Sequence, residues 1–224
     1  MKPRKFKIIQ GEQDLTSHSG LALVGSILDR TGLEKRLDKV VLEAHPRPEI
    51  THSANCKSMI GLLCLGKSDF GAIEAFREDP VFRISLGLEN VPSEGTFRQR
   101  MDGANWSFDK ILLEESADMI NRHATTITPC HKEVIPLDID VSPFDNSNTK
   151  KEGVSYTYKK FDGYAPIFGY LGVEGYLINA ELRQGSQHCQ NGTEKFLQET
   201  IQYAKRITDK PILVRMDSGN DSSG

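Results

Sequence analysis

Apolar residues return every three or four positions from Ser19 onward, the spacing of helices with one buried face. Leu21, Val24, Ile27 and Leu28 make the first stripe, with Ser19 placed to cap it and Gly32 to end it. Leu33, Leu37 and Val40 continue as a second short helix, and His45-Pro-Arg-Pro48 breaks the pattern, since proline biases the residue before it away from helix. A third helix is predicted over 53–65 with Met59, Ile60, Leu62 and Leu63 buried. Ser68 is placed to cap a fourth that carries Phe70, Ile73 and Phe76, and Asp79-Pro80 opens a fifth with Phe82, Ile84 and Leu86. Ser93–Met101 is a compact amphipathic unit: Phe97 and Met101 face inward, while Thr96, Arg98, Gln99 and Arg100 face outward. Trp106–His123 is the last long helix, with Ser107 as its cap.

Beyond Thr125–Cys130 the period falls from about 3.6 to two, the signature of strands. The change divides the chain into a helical domain, 1–128, and a strand-rich domain, 129–224. Val134–Val141 reads as a buried strand in which Ile135, Leu137, Ile139 and Val141 share one face and Asp138 and Asp140 share the other. Tyr164–Leu171 and Gly175–Leu182 form a hairpin around Gly172-Val-Glu-Gly175. Asn191-Gly-Thr-Glu194 has the spacing of a capping box, ahead of a helix with Phe196, Leu197, Ile201, Ala204 and Ile207 on one side. Pro211–Met216 is a further strand, and Asp217-Ser-Gly-Asn-Asp221 a turn. The order is strand, strand, strand, helix, strand.

Composition narrows the classes. A hydrophobic share of 38% in 224 residues supports a packed core, and a formal charge of −3 excludes a generally basic nucleic-acid binder, so DNA affinity would have to come from local patches. The apolar run at 59–65 is too short to span a bilayer and the basic arm of Lys2, Arg4, Lys5 and Lys7 lacks an apolar signal core, which points to a cytoplasmic protein with no membrane contact. Cys56, Cys64, Cys130 and Cys189 lack Cys-x-x-Cys spacing. His52 with Cys56 and Cys64 is a partial metal set without a fourth ligand, and packing is the simpler role.

Two acids side by side in a core strand are costly to desolvate and repel each other, so they call for a cation, a basic partner or an open cleft. An exposed Thr96/Arg98/Gln99/Arg100 helix after a helix and a turn has the shape of a helix-turn-helix unit able to reach base edges and phosphates. The same residues also suit an ordinary solvated face. Lys150, Lys151, Lys159 and Lys160 concentrate positive charge near the acidic strand, suited to a DNA backbone.

Leu137-Asp-Ile-Asp-Val-Ser142, Lys150-Lys-Glu-Gly-Val-Ser155, Asp162-Gly-Tyr-Ala-Pro-Ile167, Glu181-Leu-Arg-Gln-Gly-Ser-Gln-His188 and Val214-Arg-Met-Asp-Ser-Gly219 together resemble the DDE transposases of bacterial insertion sequences. The resemblance spans roughly residues 15 to 224. It implies an α+β/α/β chain: a helical N-terminal DNA-binding domain followed by an incomplete RNase H-like mixed-sheet catalytic core. It also implies catalysis by Asp140, in an Asp-x-Ser setting, and Asp217, with Asp138 the competing choice for the first position. Both acids would hold Mg²⁺ or Mn²⁺ in a two-metal site with ions about 3.5–4 Å apart. Arg183, Gln187 and His188 would contact phosphate in the same cleft.

The implied partners are double-stranded DNA at terminal inverted repeats and, as a homo-oligomer or with a complete transposase, further protein. The implied place is the nucleoid. The family's third acid, a helical glutamate, would lie beyond residue 224. The resemblance therefore implies a truncated transposase, inactive alone, with a regulatory DNA-binding fragment or an RNase H-like nuclease as alternatives.

Overall fold

A computed structural model describes residues 10–11, 16–42, 48–104, 106–124 and 126–217. The basic arm, the His45–Arg47 break, and Ser218, Gly219 and Asp221 of the last turn lie outside the described residues. The chain forms two compact units, Met1–Ala104 and Asn105–Gly224.

The first unit contains α1 (Leu21–Leu28), α2 (Leu33–Leu37), α3 (His52–Cys64), a 3-10 segment (Phe70–Phe76), α4 (Pro80–Ser85) and α5 (Glu94–Asp102). Its core is Leu21, Leu62, Ile73, Phe76, Phe82, Leu86, Leu88, Val91 and Phe97, with the Phe76 and Phe82 rings stacked 4.8 Å apart. Short helices lack the length to stabilise themselves and depend on caps and packing. Thr51, Asp79 and Ser93 each accept a backbone N–H in the first turn that follows. Two predicted caps move: α1 starts after Gly20 with no side-chain cap, and Asp69, not Ser68, caps the 3-10 segment through the Gly71 N–H.

Helix α3 departs furthest from its predicted face. Leu63 is exposed, while Ser53, Asn55, Lys57 and Ser58 are buried. Specific bonds satisfy Ser53 and Lys57: Asp38 accepts from the Ser53 N–H at 2.8 Å and its hydroxyl at 2.7 Å, and Lys57 Nζ pairs with Glu34 at 2.5 Å. Cys56 is buried and Cys64 exposed, and among the described residues no three His, Cys, Asp or Glu side chains form a metal cluster. Burial pushes the Cys56 thiol up to about 11, so almost no thiolate exists near neutral pH. Iodoacetamide at about pH 8 is expected to label exposed Cys64 and Cys130 and to spare Cys56 until urea unfolds the chain. Peptide mass mapping checks this, and equal labelling of Cys56 in the folded protein would refute its burial.

The second unit begins with α6 (Trp106–His123), which contains Ser107 as its second residue and not as its cap. A four-stranded sheet follows, built from β1 (Ile135–Val141), β5 (Ile167–Leu171), β6 (Tyr176–Glu181) and β7 (Ile212–Met216) in the order β6-β5-β1-β7. Strand β1 runs antiparallel to β5 and parallel to β7, which makes the sheet mixed. A parallel neighbour requires a crossover, and α7 (Thr193–Ile207) supplies it. A separate small sheet, order β2-β4-β3, joins Phe144–Asp145, Asp162–Tyr164 and Ser155–Tyr156.

Ala117 and Ile120 of α6 share one core with Ile135, Leu137 and Ile139 of β1 and with Phe196, Ala204 and Ile207 of α7. Arg206 of α7 also holds Asp118 of α6 by two bonds, at 3.0 and 2.7 Å. The long helix therefore belongs with the sheet. The units divide at 104/105, not near 128, because the apolar face of α6 completes the strand layer.

The predicted capping box at 191–194 does not form. Gly192, at φ 78°, takes the N-cap position of α7 without a side-chain bond, and Thr193 donates to the Cys189 carbonyl. The hairpin is shorter than predicted, since Tyr164 ends β4 in the small sheet while β5 starts at Ile167.

Candidate active site

Alternation along β1 buries Ile135, Leu137 and Ile139 against the helices and turns Asp138 and Asp140 to the opposite face. The strands on either side give the two acids different surroundings. Asp138 lies opposite Arg215 of β7, whose Nε and Nη2 donate to its two carboxylate oxygens at 2.5 and 2.6 Å. This fork-on-carboxylate bond raises the Arg215 guanidinium further above its ordinary value. Asp140 is exposed at the strand's end and accepts the Ser142 hydroxyl at 2.6 Å.

The parallel pairing ends at Ile139 opposite Met216, and Asp140 and Asp217 are the residues that follow in the two segments. Both acids therefore lie where the β1–β7 pairing ends. Asp138 already has a counter-ion in Arg215, whereas the bond to Asp140 comes from a neutral hydroxyl. The strand's period gave both the same direction; only the identity of the opposite residue in β7 separates them.

A wall rises over this pair. Tyr158 donates its phenol to the Val141 carbonyl at 3.2 Å. Its phenol is held above the ordinary range by burial first, then by the charges of Asp140, Asp217 and Cys189, so both acids act on one ring. The Thr157–Phe161 turn fixes the ring's position: the Thr157 N–H and hydroxyl donate to the Phe161 carbonyl at 2.8 and 2.9 Å. A cleft of about 620 Å³ opens here between Val141, Tyr158, Lys160, Gln187, His188 and Asp217. Gly185 lets its far side close in. A Cβ there would lie 2.1 Å from the Ser155 carbonyl oxygen and 2.4 Å from that of Gly163.

The remaining predicted contacts scatter. Lys150, Lys151, Lys159 and Lys160 are all exposed, and Lys159 Nζ lies 5.3 Å from the Tyr158 ring centre. His188 is exposed at the cleft, and its Nδ1 accepts the Gln190 N–H at 3.3 Å. That bond leaves the proton of a neutral ring on Nε2. Gln187 lines the cleft with its amide turned to the Asn191 carbonyl at 2.8 Å.

Arg183 is not a surface phosphate contact. It is buried, bonded to Glu181 at 2.6 Å, Thr193 Oγ1 at 3.0 Å and the Cys189 carbonyl at 3.4 Å, and braces the segment between β6 and α7. In the first unit Arg100 is likewise buried, not outward-facing, and donates to the Ile50 carbonyl at 3.2 Å. Arg98 is half exposed, paired with Glu94 at 3.1 Å and 5.0 Å from the Phe70 ring centre. Gln99 is exposed, and Thr96 is partly buried and bonded to Ser93. Sequence reasoning missed Arg215 and Tyr158. The first needed strand register; the second was signalled by two tyrosines followed directly by two lysines in Tyr156-Thr-Tyr-Lys-Lys160.

Helices back a mixed sheet, and two acids follow the end of its parallel pair. The sequence matches the family Transposase DDE domain group 1 over residues 3–223. The chain belongs to that family of DDE transposases. Comparison with curated proteins and with solved structures returns no match. Among the described residues no helix is long and apolar enough to cross a membrane.

Proposed function

We propose that this DDE transposase binds the terminal inverted repeats of an insertion sequence and acts on their phosphodiester bonds through Asp140 and Asp217. The position of both acids at the end of the β1–β7 pairing, with both charges acting on Tyr158, carries the reading. Two hard oxygen donors suit Mg²⁺ or Mn²⁺, which keep several waters and take one or two carboxylates together with substrate phosphates. When bound, such ions supply charge stabilisation at phosphorus and activate the attacking oxygen. Asp140 and Asp217 are the residues that would hold the cation. Ser142 orients the Asp140 carboxylate. Arg215 neutralises Asp138, so the site's negative charge is concentrated on the pair at the strand ends.

The exposed lysines at 150, 151, 159 and 160 suit the phosphate backbone. Within the first unit, exposed Arg98 and Gln99 on α5 are the side chains placed for DNA, and Arg100 serves the helical core. Fluorescence anisotropy with duplexes carrying the repeats that flank the coding sequence tests this reading. Binding is expected to be salt-sensitive, stronger than to scrambled duplex, and weakened several-fold by Arg98→Ala. Equal affinity for both duplexes rejects repeat recognition, and an unaffected Arg98→Ala rejects the α5 assignment.

A further inference from the structure

We infer that Tyr156 and Tyr158 form a stacking platform for an unpaired nucleobase beside the carboxylate pair, an inference that rests on the DNA reading above. Aromatic rings are usually buried because each removes a large apolar area from water. Here two from one short segment stand out, Tyr156 at 61% and Tyr158 at 62% exposure. Thr157 between them is buried and anchors the turn through its bonds to Phe161, so the rings are presented by a pinned backbone. Both line the cleft that Asp217 also lines.

The charge around the rings selects the occupant. Lys159 sits over the Tyr158 ring and Lys160 lines the same cleft, which favours a ligand with a flat π-face and an anionic backbone. An apolar peptide would leave these lysines unused, and a paired duplex keeps its base faces stacked inside. An unpaired nucleotide satisfies both features, since every base has a face to stack and brings its own phosphate. Tyr158 is tied to the end of β1 by its bond to the Val141 carbonyl, so a base on its ring would place the adjoining backbone near Asp140.

The test uses the full chain with a blunt duplex and with the same duplex bearing a short single-stranded 3′ thymidine extension. Affinities come from anisotropy, and 2-aminopurine in the extension reports stacking. The wild type is expected to prefer the extended duplex by roughly tenfold, a preference lost in Tyr158→Ala and in Tyr156→Ala, and kept in Tyr158→Phe. The ratio of the two affinities is the readout for every variant.

A wild type that binds both duplexes alike overturns the platform and leaves the DNA reading standing. Loss of the preference in Tyr158→Phe as complete as in Tyr158→Ala also overturns it, because the phenol's bond to Val141 would then be what matters. Failure to bind either duplex overturns the DNA reading, and the platform with it.

Discussion

Asp140→Asn and Asp217→Asn are each expected to weaken Mn²⁺ binding by on the order of 100-fold, whereas Asp138→Asn leaves it within a few-fold of wild type. The three acids are of one kind and two share a strand, so composition and charge change by the same amount in every variant. Their neighbours differ. An amide at 140 or 217 keeps the shape but removes a charge from the pair that faces a cation, and the ion loses its strongest attraction. At 138 the charge removed is the one already bonded to Arg215. Both partners of that pair are substantially exposed, so its loss costs little stability. Electron paramagnetic resonance of free Mn²⁺ gives the affinities directly. A loss at Asp138→Asn equal to that at Asp140→Asn would mean that the β1–β7 register does not govern which acid binds.

The largest stability effect is expected at Gly25. A Cβ there would lie 1.7 Å from the Ser85 carbonyl oxygen and 2.8 Å from its carbon, and backbone at that distance cannot rotate aside as a side chain can. Gly25→Ala must push α1 away from α4 and loosen Leu21, Phe82 and Leu86, for a loss of about 3 kcal/mol or more. The same substitution at Gly95, inside α5 with nothing within 4 Å of a new Cβ, should stabilise by about 0.5–1 kcal/mol through helix propensity. Urea midpoints of the two variants separate contact from propensity. Equal and small shifts would show that α1 and α4 do not pack as closely as Gly25 indicates.

Much of the architecture was legible in the pattern of apolar positions. The period-two run at Val134–Val141, the face of α7 and the Asp79-Pro80 start all follow from local rules that the structure obeys. Misreadings arose where a tertiary contact outweighed a local preference. Helix α3 buries Lys57 and Ser53 because Glu34 and Asp38, from another segment, satisfy them. Arg100 turns inward to a carbonyl 50 residues away in sequence. The end of the first unit was misplaced because α6 looks like its helical predecessors and differs only in what it packs on. At the site both candidate acids were visible, and the choice between them was not, because it depends on which residue of β7 lies opposite each.

That opposite strand has a consequence for how the protein is made. Arg215 and Asp138 are separated by 77 positions, and β7 reaches β1 only after α7 has crossed over. The ribosome therefore releases the hairpin of β5 and β6, able to pair with β1 early, well before Asp217 has a partner strand. Contacts this distant along the chain are slow to close. The nascent chain can thus pair β1 with the hairpin of β5 and β6 before β7 brings Arg215 to Asp138. A one-residue slip of β7 would carry Arg215 to the helix-covered face and separate it from Asp138, so the bidentate bond marks the correct register.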